Sequence, residues 1–356
     1  MKILLSGGGT MGSVSPLIAV YEEFKKSSHG SDKFLFIGTE SGPERKAVES
    51  YKIPFKSISS GKFRRYFSWQ NFTDPFKIIL GFFQAFGIVW KFRPEAVMVA
   101  GAFVGVPVAY AAWLLHIPVI VHQQDIVAGL ANKLMANISR KITVSFDVSL
   151  KDFNPKKTVL TGNPVRQEFY YCNRDESREF FKLNSDLPIL LVMGGGTGAK
   201  GINEIMEKAI ADLIKFCQII HVTGHGKKID VQSDNYHQFE FLTSELIEAL
   251  CVADIVVSRC GISTLSELSI MGKVAILIPM PHSHQELNAH YYQKHEAALV
   301  LSQESLTPAM FVGVIKDLFS NRKSQSELLS ENISHIMAKD GAKNVVGLIK
   351  SIVKDK

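Results

Sequence analysis

Residues 7–13 read GGGTMGS, directly behind the apolar run KILLS at 2–6. A strand that turns at once into a helix leaves backbone N–H groups free at the helix start, and such a turn attracts phosphate. Glycine lets an anion, or another stretch of backbone, come close. Gly7, Gly9 and Gly12 fit the dinucleotide pattern G-x-G-x-x-G. The design recurs in the second half of the chain, where PILLVM (188–193) runs into GGGTGAKG (194–201). There Gly194, Gly196 and Ala199 fit the alanine form of the pattern. Each match alone is also met by a tight strand–helix turn that holds nothing. Two of them, each behind its own strand, predict a cleft between two Rossmann-like domains, with ligand phosphates arriving from both sides.

The patterning around these turns agrees. Strands are expected at KFLFIG (33–38), AVMVAG (96–101), PVIVH (118–122) and KITVS (141–145), with helical segments such as PLIAVYEEFKK (16–26) between them. Behind the second glycine run come a helix, INEIMEKAIADLIKF (202–216), and strands QIIHVTG (218–224), DIVVS (254–258) and AILIP (275–279). This alternation predicts an α/β fold of two doubly wound parallel-sheet domains. Polar residues gather in LTGNPVRQEFYYCNRDE (160–176), which sets a first domain over 1–163 and a second over 164–339. Asp340 is placed to cap a last helix, 340–356, whose Val345, Val346, Ile349, Ile352 and Val353 share one face. That helix is expected to pack back on the first domain.

With 46% apolar and 21% charged residues in 356, the chain has the composition of a soluble globular protein, and its +6 charge is modest, so clustering matters more than the total. Cys172, Cys217, Cys251 and Cys260 form no Cys-x-x-Cys, so neither a disulfide framework nor a zinc site is expected, and a reducing cytosol fits. The opening MKILLS is too short an apolar run for a signal peptide. Residues 96–121 carry no charge and are long enough to span a bilayer, but Gly101, Gly105, Pro107 and Pro118 divide them into a buried strand, helix and strand.

A third element follows DIVVS: RCGISTLSELSIMGK (259–273) places Gly261, Ser263 and Thr264 at a helix start and Glu267 about one turn in. Hydroxyls and free amides there suit a diphosphate, and a deeper carboxylate suits ribose hydroxyls; a plain capping motif reads the same way. In PHSHQELNAH (281–290), His284, Gln285 and Asn288 can bond sugar hydroxyls. No Asp-x-Asp pair accompanies these histidines, so no metal is expected at a diphosphate.

At this point the chain resembles the peptidoglycan glycosyltransferases that add N-acetylglucosamine to lipid I, two-domain enzymes of the GT-B class. The resemblance rests on GGGTMGSVSPLIAV (7–20), HQQDIVAGLANK (122–133), TGNPVR (161–166), VMGGGTGAKGIN (192–203), SRCGISTLSEL (258–268) and HQELNA (284–289), in order along nearly the whole chain. It implies inverting transfer from UDP-N-acetylglucosamine to the muramyl C4 hydroxyl of undecaprenyl-linked lipid I, without metal or other cofactor. Ile262, Ser263 and Thr264 would meet the diphosphate and Glu267 the ribose, with Leu265 and Ser266 also among the donor-binding residues. Leu242, in FEFLTSEL, would offer backbone to uracil. Gln285 and His284 would read the sugar, and Arg166 would approach the nucleotide from the hinge side. Gly196 stands where some relatives carry a hydroxyl residue, leaving a phosphate contact to backbone or to Thr197. Thr10, Met11 and Gly12 would face the transferred sugar and the acceptor diphosphate, Gly9 the acceptor, and Asp125 the donor.

Ser13 departs from the resemblance, because the family pattern usually ends its first glycine loop in histidine. A serine hydroxyl does not take a proton near neutral pH as imidazole does. Asp125 or His122 would then supply the base, unless the histidine is dispensable or the chain binds without turnover; His122 also reads as a buried strand-end residue.

Lipid I is membrane-anchored, so an anionic membrane surface becomes an expected partner, at the cytoplasmic face and peripherally. Residues 61–93, GKFRRYFSWQNFTDPFKIILGFFQAFGIVWKFR, hold eight of 23 phenylalanines and two of three tryptophans, and six basic residues against Asp74 alone. That mixture suits an interfacial surface, and Phe63, Arg64, Arg65, Phe67 and Trp69 are the expected contacts. No nucleic-acid module accompanies the patch. Three other readings stay open: a nicotinamide-dependent oxidoreductase, for which Glu40 follows the second strand; a sugar-nucleotide epimerase of the same shape; and a non-catalytic binder.

Overall fold

The computed structural model describes residues 1–27, 31–61, 70–184, 186–195, 198–243, 245–320 and 323–355; side chains of 70–75 and of 323 lie outside that description. Phe63, Arg64, Arg65, Phe67, Trp69, Gly196 and Thr197 therefore lie outside the described residues. The chain divides into two compact units, Met1–Gln167 with Ala338–Lys356, and Glu168–Met337. The break falls a few residues beyond 163, which assigns Arg166 to the first unit, and the returning tail begins at Ala338.

In the first unit the order is β1 (Lys2–Ser6), α1 (Ser15–Ser27), β2 (Lys33–Thr39), α2 (Glu44–Ser50), β3 (Phe55–Ile58) and α3 (Gln70–Phe92). It continues with β4 (Ala96–Val99), α4 (Gly105–Leu114), β5 (Val119–Gln123), α5 (Leu130–Ala136), β6 (Lys141–Val144) and β7 (Thr158–Leu160). The seven strands form one parallel sheet in the order β3-β2-β1-β4-β5-β6-β7. The central strands β4 and β5 are buried along their whole length, as strands covered by helices on both faces must be. Residues 96–121 thus form strand, helix and strand, and no helix among the described residues is long and apolar enough to cross a membrane.

The second unit runs α6 (Arg174–Phe180), β8 (Ile189–Met193), α7 (Lys200–Leu213), β9 (Gln218–Val222), β10 (Tyr236–Phe239), α8 (Glu245–Val252) and β11 (Ile255–Ser258). It ends α9 (Ile262–Met271), β12 (Val274–Leu277), α10 (Gln285–Lys294), β13 (Leu299–Val300), α11 (Pro308–Ser320) and α12 (Lys323–His335). Its parallel sheet has the order β10-β9-β8-β11-β12-β13. Counted from its own first strand this is 3-2-1-4-5-6, the Rossmann order, and β1 to β6 of the first sheet repeat it. The strand order reverses between β1 and β4 and again between β8 and β11. Ligands of such sheets bind beyond the strand ends at those points, where both glycine runs and the start of α9 lie.

The tail helix α13 (Gly341–Lys354) buries Val345, Val346, Ile349 and Ile352 in the cluster that holds Ile3, Leu17 and Phe24 of the first unit. Asn344 Nδ2 donates to the Thr161 carbonyl (3.1 Å) and Lys350 Nζ to Ser27 Oγ (2.7 Å). Asp340 stands at the N-cap, but its side chain makes no cap bond; its carbonyl accepts from Asn344 N instead.

One expectation is corrected. Cys172 and Cys251 form a disulfide, with Cα atoms 6.0 Å apart across a sequence separation of 79. The packing of α6 on α8 brings them together, which spacing along the chain does not reveal. Cys217 and Cys260 are buried thiols, and burial pushes both up to about 12.

Candidate active site

Each of the three glycines that follow β1 has its own reason. A Cβ on Gly7 would overlap the Ser13 carbonyl, and one on Gly8 would overlap the Glu44 carboxyl group. Gly9 holds φ +80°, the left-handed region that side chains disfavour. Ser13 then closes the loop from the far side. Its Oγ accepts from Gly8 N (2.9 Å) and donates to the Gly8 carbonyl (3.1 Å), with the Thr10 carbonyl also near (3.3 Å). Ser13 is buried, and its hydroxyl is a brace of the loop. Gly9 N donates to Glu44 Oε2 (3.2 Å). The two inner amides are thereby taken by the protein itself. Thr10 is exposed and Met11 and Gly12 half-buried, so they form the rim open to a ligand.

The start of α9 is built the other way. Gly261 is the N-cap, and the first intrahelical bond of the turn runs from Leu265 N to the Gly261 carbonyl (3.0 Å). The amides of Ile262, Ser263 and Thr264 precede it and, as at any helix start, have no partner within the helix. Ser263 Oγ is buried without a partner among the described residues. An orphaned buried hydroxyl costs about 1–3 kcal/mol, which a ligand oxygen would offset. Beside it Glu267 is buried in the same helix.

From the loop beyond β12, Gln285 Oε1 accepts from Cys260 N (3.3 Å) and Met280 N (3.1 Å). That fixes its amide NH2 group as the end left for a sugar hydroxyl. His284 is exposed at the N-cap of α10. Leu242 is buried just past β10. Arg259, passed over in sequence, donates Nη1 to the Ile278 (3.0 Å) and Pro279 (2.9 Å) carbonyls and pairs Nη2 with Gln303. It ties the end of β11 to the end of β12.

Several expected contacts are corrected. Ser266 is fully buried and donates to the Ile262 carbonyl (2.7 Å), inside its own helix. Leu265 is fully buried, with its amide used in the first turn, so neither residue offers a side chain to the donor. Asn288 is buried and donates to the Cys260 carbonyl (3.1 Å), a brace for the loop before α9.

His122 is removed as a base. It is fully buried in β5, its Nε2–H donates to Asn163 Oδ1 (2.8 Å), and its Nδ1 accepts from Thr143 Oγ1 (2.8 Å). Burial lowers its pKa to about 4, against the smaller raising effect of those bonds. A ring with both nitrogens engaged and no exposed surface reaches no substrate. Asp125 follows two residues beyond β5, half-buried, in a loop held by Gln123 Nε2 and Ser149 Oγ through the Asp125 carbonyl. Arg166 is half-buried and donates Nη1 to Tyr51 Oη (3.1 Å) within the first unit.

Among the described residues, α3 carries an exposed apolar surface. Phe82, Ala85, Phe86 and Val89 face the core, yet Phe76 (76% exposed), Ile79, Leu80, Phe83 (65%) and Trp90 face water. Positions 76, 79, 80 and 83 make one helical stripe. Helix α4 packs on α3 and adds exposed Trp113 and Leu114. A helix with large apolar residues on its uncovered side as well as its covered one is unusual for a water-facing surface.

The chain matches the model of the glycosyltransferase family 28 N-terminal domain over residues 3–144 and that of its C-terminal domain over 189–345. With two Rossmann-like units and an open helix start in the second, it is a glycosyltransferase of the two-domain GT-B class. The UDP-N-acetylglucosamine–N-acetylmuramyl-(pentapeptide) pyrophosphoryl-undecaprenol N-acetylglucosamine transferase of Clostridium kluyveri is 40% identical over 323 residues, 89% of this chain and 91% of that one. The enzyme of the same name from Clostridium botulinum (strain Langeland) is 38% identical over 360 residues, 99% of each chain. This chain belongs to that family of N-acetylglucosamine transferases. The crystal structure of Acinetobacter baumannii MurG superposes with a TM-score of 0.73 at 24% identity, over 98% of this chain and 99% of that one. A putative UDP-N-acetylglucosamine 2-epimerase from Listeria monocytogenes gives 0.71 at 11% identity, over 100% and 97%, a likeness of fold alone.

Proposed function

We propose that this chain transfers N-acetylglucosamine from UDP-N-acetylglucosamine to the C4 hydroxyl of the muramyl sugar of lipid I, inverting the anomeric carbon and giving lipid II. The observation that carries the reading is the orphaned Ser263 hydroxyl at the open start of α9. There the Ile262, Ser263 and Thr264 amides hold the donor diphosphate, and Glu267 takes the ribose hydroxyls. Leu242 backs the uracil, while Gln285, with His284 at the rim, reads the sugar. As the bond to the anomeric carbon breaks, negative charge grows on UDP, and the helix start stabilises it. That stabilisation makes the transfer metal-independent.

On the first unit, Gly9, Thr10, Met11 and Gly12 meet the acceptor. The acceptor hydroxyl loses its proton to Asp125, the accessible acid left once His122 is set aside. Ser13 takes no part in proton transfer, since its hydroxyl closes the loop. The stripe on α3 rests on the bilayer, which makes the protein peripheral and, with lipid I in the inner leaflet, places it at the cytoplasmic face.

The test is transfer of radiolabelled N-acetylglucosamine to a short-chain lipid I analogue in EDTA, for the wild type, Glu267→Ala and Asp125→Ala. Wild-type turnover is expected, with Asp125→Ala slower by about 10²–10⁴-fold at unchanged donor affinity and Glu267→Ala binding donor weakly. Donor binding without any disaccharide would make the chain a non-catalytic binder.

A further inference from the structure

Glu44 is the only acid among the described residues with no exposed surface at all. It opens α2, within SGPERK (41–46), and no part of the proposed chemistry calls for it. Its Oε2 accepts from Gly9 N (3.2 Å), and its Oε1 accepts from Thr39 N (2.7 Å) and from the Thr39 hydroxyl. Cβ atoms on Gly8 and on Gly42 would both overlap its carboxyl group. One side chain therefore joins the loop leaving β1 to the loop leaving β2.

Enclosing a carboxyl group is costly unless its oxygens are bonded, and an aliphatic side chain would fill the same space more cheaply. What the carboxyl supplies in return is direction. It holds the amide of Gly9, the residue that begins the rim of Thr10, Met11 and Gly12, and it holds that amide against a neighbouring strand end.

We infer that Glu44 is a positioning residue for the acceptor: it fixes the Gly9–Gly12 rim, and through it the orientation of the attacking hydroxyl, without a part in holding the donor. This rests on the reading above in which the first unit handles the acceptor. Glu44→Gln is the discriminating variant, being isosteric. Its amide has one acceptor end and one donor end, so whichever way it turns, either Gly9 N–H or Thr39 N–H is left facing an N–H group. Thr39→Val is its companion, removing one hydroxyl while leaving the bond to Gly9.

The experiment pairs steady-state kinetics on a short-chain lipid I analogue with calorimetric binding of UDP-N-acetylglucosamine. For Glu44→Gln, kcat/KM for the acceptor should fall by about 30-fold, the scale of a small misplacement of reacting groups. Its donor affinity should stay within about twofold, and Thr39→Val should lose roughly threefold or less, as befits a single neutral hydroxyl contact. Unchanged acceptor kinetics in Glu44→Gln would overturn the inference. So would an equal loss of donor affinity, which would make Glu44 a general brace of the fold. A wild type that forms no disaccharide would instead sink the reading of function, and this inference with it.

Discussion

The turn after β1 and the start of α9 both offer small residues and backbone amides at a point where the strand order of a sheet reverses, yet they are finished differently. In the first, Ser13 and Glu44 take the amides of Gly8 and Gly9. In the second, Ser263 keeps a buried hydroxyl without a partner. Glycine content alone therefore does not mark a phosphate site. What marks it is whether the surrounding side chains have already satisfied the amides. By that measure the open helix start is in the second unit, while Gly8 and Gly9 of the first commit their amides to their own chain.

Where the units are alike, they are alike in the core. His221 of β9 repeats the arrangement of His122: Nε2–H donates to Asn203 Oδ1 (3.2 Å) and Nδ1 accepts from Tyr236 Oη (2.9 Å). Burial lowers both histidines from 6.5 to about 4. Above pH 6.5 both rings are neutral in either state. Below it the unfolded chain takes up protons that the folded chain refuses, so stability falls until the pH reaches about 4. The loss should be about 1.4 kcal/mol per histidine by pH 5.5. Urea unfolding at pH 7.5 and 5.5 checks it, and a flat profile would break the likeness drawn between the two cores.

The surfaces differ again. Exposed apolar residues of the first unit include the stripe on α3, whereas those of the second, such as Tyr171, Phe241 and Met310, come from separate elements. Burying a phenylalanine stabilises by about 1.5–3 kcal/mol. Phe76→Asp combined with Phe83→Asp should weaken sedimentation with vesicles containing anionic lipid by roughly 100-fold. Donor affinity should not move. Full retention of vesicle binding would assign the membrane contact elsewhere.

Much of this was legible in the sequence, and the failures have physical causes. Strands buried on both faces, such as β4 and β8, announce themselves as unbroken apolar runs. The short edge strands β3 and β7 are only half-buried, carry mixed residues, and went unseen. The start of α9 was readable because amides, hydroxyls and an acid fall within one local segment. Glu44 was not, because its partner Gly9, 35 residues away, reaches it only through the pairing of β1 with β2. The same holds for Cys172 and Cys251. On α3 the composition showed an apolar helix but not which side the fold would cover, so the exposed stripe of Phe76 and Phe83 was not legible.

The most direct test of the contrast between the two turns is calorimetric titration of UDP into Ser263→Ala and Ser13→Ala. Loss of a hydroxyl bonded to a charged phosphate should weaken UDP binding to Ser263→Ala by about tenfold or more, with no loss of thermal stability, since the hydroxyl removed has no partner among the described residues. Ser13→Ala should lose about 1 kcal/mol of stability while binding UDP as the wild type does. Weakened UDP binding in Ser13→Ala, with Ser263→Ala unaffected, would contradict the account and return the phosphate site to the first glycine loop.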